Sequence, residues 1–466
     1  MEILNESLSE ITKSFDIKRK FFDDGYTHSY AFRKEALLKL RNAIIRKKEE
    51  IIAAMQRDFG KPSFEAYIGE VGVATDDINF VLKHLKSWME DKHVPTPIAI
   101  QPAKSKIIYE PKGVVMIFSP WNYPFNLTII PLIGAIAAGN CVMIKPAHET
   151  PHIAKLIKIL IEECFIPEHV SVVMGEGKII GELLLTNFTF NHIFFTGSPN
   201  TGRWIMEKAA RTLTPVTLEL GGKSPVIIDS SANMKVALNR ITWAKYFNAG
   251  QTCTSPDYIL VHKSRKDEFT QGLIKKIEEF FGADPQKSPY YCRLVNNTRF
   301  KKIVTYLEQG KILHGGLHDE TDKYISPTVM ELNDLDVPLM KEEIFGPILP
   351  VIPWSDKEEI VQIIRKNRYP LTCYIFSEDT QFINYIHERV EFGSGCVNDT
   401  MAQFANSNFP FGGVMTSGMG KYHGKYSFDT FSNAKPILSS ATFIDIDMRY
   451  PPYTSFKRKL AEFFLE

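Results

Sequence analysis

Short apolar runs alternate with longer amphipathic stretches from about residue 113 onward. The apolar runs have the length and composition of buried strands: GVVMIF, CVMIKP, VSVVMG and HIFFTG. The stretches between them have helical periodicity, as in PHIAKLIKILIEEC and TGRWIMEKAART. Strands that alternate with helices in this way predict right-handed βαβ units and a parallel sheet covered on both faces.

A second alternating series follows later in the chain. Its predicted strands are DYILVH, LTCYIFS and GSGCVN, and its predicted helices are RKDEFTQGLIKKIEEFF and DTQFINYIHERV. The pattern therefore indicates an α/β protein with two lobes. Residues 1–95 hold three amphipathic helical stretches, which we expect to pack on the first lobe. Two segments stand outside both series: PIAIQPAKSKIIYEP at 97–111, which alternates like a hairpin, and PILSSATFIDID near the C-terminus.

One uncharged segment, LTIIPLIGAIAAGNCVMI at 127–144, is long enough to suggest a membrane span. Pro131, Gly134 and the Gly139-Asn140 pair interrupt it, and the CVMI that follows has strand character. We therefore expect a buried helix, a turn and a buried strand.

The composition limits the class of partner and the compartment. The chain has 466 residues, with 55 basic and 54 acidic residues and a net charge of +1, which argues against nucleic acid or anionic lipid as the main partner. The N-terminus lacks the basic and apolar regions of a secretory signal. The six cysteines are widely spaced without a CxxC pair, so we expect reduced thiols in a cytoplasmic protein and neither disulfides nor a structural zinc site.

Three motifs match the sequence superficially and fail on inspection. HETPH at 148–152 has the HExxH spacing of zinc proteases, but Pro151 belongs in the first turn of a helix, so His148 should lie ahead of that helix and no metal is expected. GGKS at 221–224 lacks the first P-loop glycine, because residue 217 is threonine. GEGKIIG at 175–181 has one spacer residue too many for a dinucleotide fingerprint.

A phosphate-binding turn is a better match in FFTGSPNTGRWIMEKAA, 194–210. An apolar strand leads directly into a helix, and Gly197 and Gly202 have the spacing of the first and third glycines of GxGxxG, with Pro199 at the middle position. A helix N-terminus offers free N–H groups and a positive dipole end to a phosphate. A plain strand-to-helix turn explains this segment equally well.

Two polar side chains stand out beside predicted strands. Asn122 in PWNYPFN follows the strand GVVMIFS, and ligands gather at the carboxyl ends of parallel strands, although an aromatic loop with a turn-capping asparagine is the simpler reading. Glu219 in TLELGGKSPVIID lies between two leucines, so its pKa should be raised, as suits a general base. Its position twenty-two residues after Gly197 also fits a ribose ligand of the fingerprint.

One cysteine differs from the other five in its surroundings. Cys141, Cys373 and Cys396 lie in apolar strands, Cys164 ends an apolar helix, and Cys292 is packing or surface. Cys253 in NAGQTCTSPDY lies in a glycine-containing turn just after a predicted helix. Such a turn exposes the thiol together with its own backbone N–H, the combination that a covalent nucleophile with an oxyanion hole requires.

Together these segments resemble the NAD(P)-dependent aldehyde dehydrogenase superfamily. The resemblance covers nearly the whole chain and keeps the order of its motifs: PWNYP, IKPAHETP, FFTGSPNTG, LELGGKSP, GQTC, EEIFGPILP and PFGG. GQTCTSPDYILV and PFGGVMTSGMGKYHGKYSFDTFS resemble the class-three branch, which includes fatty-aldehyde and aromatic-aldehyde dehydrogenases and is typically dimeric.

The resemblance assigns roles to individual residues. It implies Cys253 as nucleophile, Glu219 as base and Asn122 as oxyanion donor. For the cofactor it implies that Lys145 contacts the adenosine ribose, that Gly197 and Ser198 lie beside the pyrophosphate, and that Glu343 and Phe345 hold the nicotinamide ribose and ring. The whole implied cofactor-binding set is Trp121, Lys145, His148, Gly197, Ser198, Gly202, Glu343 and Phe345. Lys245, eight residues before the predicted nucleophile, matches a lysine that lines the site in class-three relatives.

The implied fold is α/β, with a Rossmann-like cofactor domain, a second α/β catalytic domain and a small β bridging domain for oligomerisation. The corresponding boundaries are 1–96 and 112–220 for the NAD(P)-binding domain, 221–433 for the catalytic domain, 97–111 and 434–448 for the bridging strands, and 449–466 for the C-terminal tail. The tail RYPPYTSFKRKLAEFFLE is a short amphipathic stretch, so we expect no stable membrane anchor. A homodimer is expected.

The implied reaction oxidises an aldehyde to the carboxylic acid with NAD or NADP, through a thiohemiacetal and a thioester on the cysteine. Two alternatives are a cysteine-dependent hydrolase or acyltransferase that uses no nicotinamide, and a catalytically silent relative. His148 bears on the choice of cofactor, because many family members have a glutamate there that accepts hydrogen bonds from the ribose hydroxyls and repels a 2′-phosphate. We therefore expect NADP to be used as well as NAD, unless the loop shifts by one residue and Glu149 takes the usual role.

Overall fold

The computed structural model describes residues 5–332, 334–445 and 447–465. The chain begins with helices that pack on the rest of the protein: α1 (Leu8–Asp23), α2 (Tyr30–Arg46), α3 (Lys48–Phe59), α4 (Ser63–Ala66) and α5 (Gly72–Trp88), with a π-helical turn at Tyr67–Val71. The prediction of three helical stretches before residue 96 was too low. Lys47 alone separates α2 from α3, and a left-handed Gly60 (φ 67°) ends α3. These short breaks divide the chain into more helices than its apolar pattern predicts.

The next part of the chain alternates strands and helices up to residue 219. In order, these are β1 (Lys92–Val94), β2 (Ala103–Pro111), β3 (Val114–Phe118), α6 (Asn126–Ala138), β4 (Cys141–Lys145), α7 (Pro151–Cys164), β5 (Val170–Val172), α8 (Gly177–Asn187), β6 (His192–Thr196), α9 (Pro199–Ala210) and β7 (Val216–Glu219). Helix α7 begins at Pro151, so His148 precedes it and the helical HExxH geometry is absent, as predicted.

The remainder alternates in the same way. In order, it contains β8 (Pro225–Ile228), α10 (Met234–Tyr246), β9 (Tyr258–His262), α11 (Lys266–Phe281), α12 (Asn297–Val304), β10 (Lys311–His314), β11 (His318–Asp319), β12 (Tyr324–Ile325), β13 (Thr328–Glu331), α13 (Pro338–Lys341), β14 (Ile348–Trp354), α14 (Lys357–Lys366), β15 (Thr372–Phe376), α15 (Thr380–Arg389), β16 (Ser394–Val397), β17 (Gly418–Met419), α16 (Gly424–Thr430), β18 (Ser432–Ser440) and α17 (Ser455–Leu465).

Two large sheets organise the fold. The first has the strand order β17-β7-β6-β3-β4-β5 and is parallel except for β17, and the second has the order β10-β13-β14-β9-β8-β15-β16 and is parallel except for β10. Along β3, Val115 and Ile117 pack into one apolar core, and Val114, Met116 and Phe118 into the other. Because successive side chains of a strand point to opposite faces, this division confirms a parallel sheet covered on both faces.

The uncharged segment 127–144 folds as expected, into most of α6, a turn and β4. Every residue of α6 is buried, and Gly139 ends it in the left-handed region (φ 91°) before the chain enters β4. Within the described residues, none of the helices has the length and apolarity needed to cross a membrane.

A small antiparallel sheet of β1, β2 and β18 stands apart from the two large ones. The expected hairpin at 97–111 is wrong: only 103–111 is a strand, and its local partner is β1, with Lys92 opposite Ile107. Pro97 and Pro102 carry no N–H to donate to a ladder, which excludes the first half of the segment. The bridging strand expected at 434–448 begins and ends earlier, at Ser432–Ser440, where all nine residues pair with β2. Residue 446 lies outside the described residues, as do the predicted domain limits at residues 1 and 466.

Candidate active site

A cleft of about 1030 Å³ opens where the two large sheets approach each other. Its walls come from the carboxyl ends of β3, β6 and β7 and from the turns before β9 and β14. Of the residues predicted as site residues, it brings together Trp121, Asn122, Gly197, Ser198, Glu219, Cys253, Glu343 and Phe345. These predicted site residues therefore meet at the carboxyl ends of the parallel strands, as expected for an α/β sheet.

The turn that carries Cys253 is conformationally strained. Helix α10 ends at Tyr246, and the next turn holds Asn248 and Ala249 at φ 55° and 50°, followed by Gly250 at φ 73°. A Cβ on Gly250 would lie 2.3 Å from the carbonyl oxygen of Gly346, so only glycine fits this close approach. Left-handed backbone at residues other than glycine is costly and concentrates at functional sites.

The Cys253 side chain is half-buried and lines the cleft. Burial raises the pKa of its thiol, and the carboxylates of Glu343 and Glu219 raise it further, while the backbone N–H groups of Cys253 and Thr254 act in the opposite direction. In this environment the thiol is protonated at neutral pH. The chain itself therefore favours a neutral sulfur over the reactive thiolate.

Glu219 is the last residue of β7 and is 3% exposed. Within the described residues, neither of its carboxylate oxygens has a hydrogen-bond partner. Burial raises the pKa of Glu219 well above its usual range, and the positive charge of Lys421 opposes this shift. The raised pKa expected from the sequence is therefore confirmed.

Asn122 is buried beside the same cleft and is tied to the cysteine turn. Its Nδ2 donates to the carbonyl oxygen of Gln251 at 3.1 Å, two residues before Cys253. An amide NH₂ has two hydrogens, so one remains for a group bound in the cleft.

Glu343 and Phe345 approach the cleft from the segment before β14. Burial raises the pKa of Glu343 to about 8, with a smaller contribution from the carboxylate of Asp257. The ring of Phe345 meets that of Trp121 edge to face, with 5.3 Å between their centroids. Arg299 fixes this segment, because its Nη2 donates to the carbonyl oxygen of Phe345 at 3.2 Å.

The predicted phosphate turn has the geometry of a helix N-terminus. Ser198 caps α9, and its Oγ accepts the N–H of Thr201. Gly202 has a packing role, since a Cβ there would lie 2.7 Å from the Cδ2 of Leu220, and it does not line the cleft. This is the close helix–strand contact expected of the third fingerprint glycine.

Three further residues implied by the resemblance lie away from the cleft surface. Lys145 is 4% exposed, burial lowers its pKa to about 8, and its Nζ donates to the carbonyl oxygen of Pro146. His148 pairs with Glu149, with 3.1 Å between Nδ1 and Oε2. A Cβ on Gly177 would lie 3.8 Å from the Nδ1 of His148 and 3.9 Å from the Nζ of Lys145, so both side chains end beside Gly177 at the start of α8. Lys245 is fully buried and does not line the cleft.

Sequence reasoning missed the positive charge of the cleft. Its lining includes Arg203, Lys223, Arg299, Lys341, Arg365, Lys366 and Arg368, against the acidic residues Glu219, Glu342 and Glu343. Arg365, Lys366 and Arg368 form one local cluster, but the other four cations come from separate parts of the chain, so the sequence does not show that all seven line one cleft. A cationic cleft lined by a helix N-terminus and by an aromatic pair fits a dinucleotide with its phosphates.

The chain matches the family described as "Aldehyde dehydrogenase family" over residues 5–437. It is 44% identical over 456 residues to a 4,4'-diaponeurosporen-aldehyde dehydrogenase of Staphylococcus aureus, covering 97% of this chain and 99% of that protein. It is 40% identical over 444 residues to mouse aldehyde dehydrogenase family 3 member B1, covering 94% and 93% of the two chains.

Solved structures agree with these relatives. The substrate-bound state of a Staphylococcus aureus AldH has a TM-score of 0.94 at 43% identity, covering 97% of this chain and 99% of that one. A Methanocaldococcus jannaschii glyceraldehyde-3-phosphate dehydrogenase complexed with NADP has a TM-score of 0.85 at 28% identity, covering 94% and 96%. The NAD+ complex of a Bacillus cereus aldehyde dehydrogenase has a TM-score of 0.85 at 26% identity, covering 94% and 90%.

The charge around Cys253 predicts how fast its thiol is alkylated. At pH 9 Glu343 is ionised, since its pKa is about 8, so Glu343→Gln should lower the thiol pKa and speed labelling of Cys253 by iodoacetamide. Peptide mass spectrometry measures the rate for this cysteine alone. The matched control is Glu342→Gln, because Glu342 is half exposed and paired with Lys302, and it should leave the rate unchanged. Slower labelling in Glu343→Gln contradicts the electrostatic account.

Proposed function

The chain belongs to the aldehyde dehydrogenase family and oxidises aldehydes, and we propose that it does so through a covalent bond between the substrate and the Cys253 sulfur. The observation that carries the proposal is the convergence of Cys253, Asn122 and Glu219 on one cleft. They come from three separate elements of the fold, and each has a side chain suited to one step of the reaction.

The first step joins the sulfur to the substrate. The Cys253 thiol gives its proton to water and its sulfur attacks the carbonyl carbon; the C–S bond forms, and the electron pair of the C=O bond moves to the oxygen, which becomes an oxyanion. The free hydrogen of the Asn122 amide and the Cys253 N–H are the donors for this oxyanion. A bound nicotinamide would supply the acceptor for the hydride that leaves the substrate carbon, and the acyl group then remains as a thioester on Cys253.

The second step releases the acid. Glu219 takes a proton from a water molecule, whose oxygen attacks the thioester carbon, and the C–S bond breaks. The products are the carboxylic acid and the free Cys253 sulfur, so one water is consumed for each aldehyde oxidised. A carboxylate that is buried and unpaired is a strong base, and this supports Glu219 in the role.

Family members use NAD or NADP, and this chain has residues placed to hold such a dinucleotide. Gly197 and Ser198 would hold the pyrophosphate at the N-terminus of α9. Glu343 and the Phe345–Trp121 pair would hold the nicotinamide half. Lys145 and His148 would face the adenosine ribose, and Gly202 would let α9 approach Leu220 closely. A cysteine hydrolase without a cofactor would leave the cationic cleft without a purpose.

We propose an aldehyde with an apolar chain as the substrate. Ile68, Tyr123, Leu127, Phe247 and Met401 form a small apolar cluster, and Leu127 also lines the cleft with Cys253. A panel of aldehydes of increasing chain length, followed by absorbance of the reduced nicotinamide, tests this: kcat/KM should rise with chain length, and a preference for short, polar aldehydes contradicts it.

The assembly, compartment and domain division are also proposals. The antiparallel sheet of β1, β2 and β18 has edges that can pair with a second copy, which supports a homodimer. A cytoplasmic location is supported by six cysteines that are all free. The two large sheets support separate cofactor-binding and catalytic domains, although β17 follows residue 221 in the chain and pairs with β7 of the first sheet.

Cys253→Ser should abolish aldehyde oxidation while the cofactor still binds, because a serine hydroxyl is a far weaker nucleophile than a cysteine sulfur at neutral pH. Turnover is followed by nicotinamide absorbance, and cofactor binding by calorimetry. Cys164→Ser is the control, since Cys164 ends α7 away from the cleft, with its sulfur against the carbonyl oxygen of Lys39, and the change should leave kcat nearly unchanged. Substantial turnover in Cys253→Ser would sink the assignment.

Glu219→Gln should slow hydrolysis more than hydride transfer, so that one equivalent of reduced cofactor forms in a burst and an acyl-enzyme accumulates. Burial raises the pKa of Glu219, so the fraction of Glu219 that is ionised, and able to act as a base, increases with pH. The wild-type hydrolysis rate should therefore rise as the pH passes through that pKa. Glu219→Gln should lose this rise. Stopped-flow absorbance from pH 6 to pH 9 measures both effects, and a burst confined to Glu343→Gln would show that Glu343 is the base.

The wild-type chain should use NADP as well as NAD, and His148→Glu should lower kcat/KM for NADP relative to NAD by roughly tenfold or more, since each 1.4 kcal/mol of repulsion is a factor of ten. The matched variant is Glu149→Gln, which should leave the ratio nearly unchanged. If the wild type is strictly NAD-dependent and Glu149→Gln weakens NAD, then Glu149 faces the ribose and His148 does not.

A further inference from the structure

An ion pair with no exposure to solvent lies beneath the loop that carries Asn122. Lys61, between α3 and α4, places its Nζ 2.7 Å from the Oε1 of Glu70, in the π-helical turn before α5. Both side chains are 0% exposed. Two charges removed from water are costly unless they are paired and fully hydrogen-bonded, so the further contacts of this pair indicate its purpose.

Those contacts go to the two ends of the Asn122 loop. The Nζ of Lys61 donates to the carbonyl oxygen of Asn122 at 3.4 Å and lies 3.9 Å from the ring centroid of Tyr123. The Oε2 of Glu70 accepts the N–H of Phe125 at 3.1 Å and that of Asn126 at 2.8 Å. The pair therefore holds residues 122–126, which lead into the first residue of α6, by their backbone at both ends.

The cysteine turn holds the same loop from the opposite side. The carbonyl oxygen of Asn122 also accepts the Nδ2 of Asn248 at 3.1 Å, and the hydroxyls of Tyr123 and Thr252 lie 2.8 Å apart. With the bond from the Asn122 amide to Gln251, the loop lies between the ion pair and the turn that carries Cys253.

We propose that Lys61 and Glu70 are positioning residues for aldehyde oxidation, which fix the Asn122 amide relative to the Cys253 sulfur. The inference rests on the proposed role of Asn122 as oxyanion donor. An ion pair is suited to this task because its two members bind different groups. The ammonium donates to carbonyl oxygens and contacts aromatic faces, whereas the carboxylate accepts hydrogen bonds from N–H groups. An apolar pair of the same volume could fill the space but would hold neither end of the loop.

A double-mutant cycle tests whether the pair acts through Asn122. Lys61→Met and Glu70→Gln are each made in the wild type and in Asn122→Ala. Alone, Asn122→Ala should lower kcat about 10²- to 10³-fold as one oxyanion donor is lost. Lys61→Met and Glu70→Gln should each lower kcat about ten- to a hundredfold by misplacing that donor, with little change in KM for the cofactor. In the Asn122→Ala background neither should cause a further loss.

Two additional variants separate positioning from stability. Lys61→Arg keeps the charge and several donors and should recover part of the lost kcat. Lys18→Met is the matched control, because Lys18 is also fully buried, hydrogen-bonds to Ser14 and Pro167, and lies on α1 outside the cleft. It should lower the Tm and leave kcat unchanged. Glu70→Gln keeps the size of the side chain but has a single acceptor oxygen, so it cannot both bind the Lys61 ammonium and accept the two N–H groups; it therefore breaks the pair and serves for the cycle if Lys61→Met does not fold.

The proposal is overturned if folded Lys61→Met or Glu70→Gln retains the wild-type kcat, or if the same fold-loss recurs in the Asn122→Ala background. An unchanged kcat in Asn122→Ala itself is a different result, because it contradicts the oxyanion role under the proposed function.

Discussion

The contact between the Asn122 loop and the cysteine turn is the constraint on which the rest of the site depends. Three hydrogen bonds join the loop after β3 of the first sheet to the turn that leads into β9 of the second. The Asn122 amide donates to the carbonyl of Gln251, the Asn248 amide donates to the carbonyl of Asn122, and the hydroxyls of Tyr123 and Thr252 pair. A nucleophile and its oxyanion donor must be held to within a fraction of an ångström for the reaction to be fast. The fold meets this requirement with strained backbone at Asn248 and Ala249 on one side and a buried ion pair on the other.

The electrostatics of the cleft separate two tasks. Cations from several elements line the part that suits the phosphates of a dinucleotide, whereas the carboxylates of Glu219 and Glu343 influence the thiol. Burial raises the pKa of the Cys253 thiol and keeps the sulfur protonated in the chain alone, and the two carboxyl groups add to this effect when they are ionised, so the reactive thiolate has to be formed as the site fills. A bound nicotinamide carries positive charge in its oxidised form and would shift the balance towards the thiolate. Such coupling would restrict the reactive form of the cysteine to the state in which oxidation can proceed.

Much of the fold and of the site follows from the sequence because the signals are local. Apolar runs and amphipathic stretches predict the two α/β series, Pro151 places His148 outside a helix, and a cysteine in a polar turn differs from cysteines in apolar strands. The errors arise where the partner is distant. The strand at 103–111 pairs with residues 92–94 and 432–440, and the proline pattern near it predicts neither register. The sequence predicts neither the cationic lining nor the Lys61–Glu70 pair for the same reason. The lysine in DFGKPSF does not indicate that its partner is the glutamate nine residues later.

The most direct test of the central claim is to identify the atom that carries the acyl group during turnover. The wild-type protein is mixed with NAD+ and hexanal carrying a ¹³C-labelled carbonyl, quenched in acid within the first turnover, digested and examined by mass spectrometry. The account predicts a labelled hexanoyl group on the peptide that contains Cys253, in an amount that decays as hexanoic acid appears. A label on the peptide of another cysteine, or steady turnover with no covalent label at any time, would contradict it.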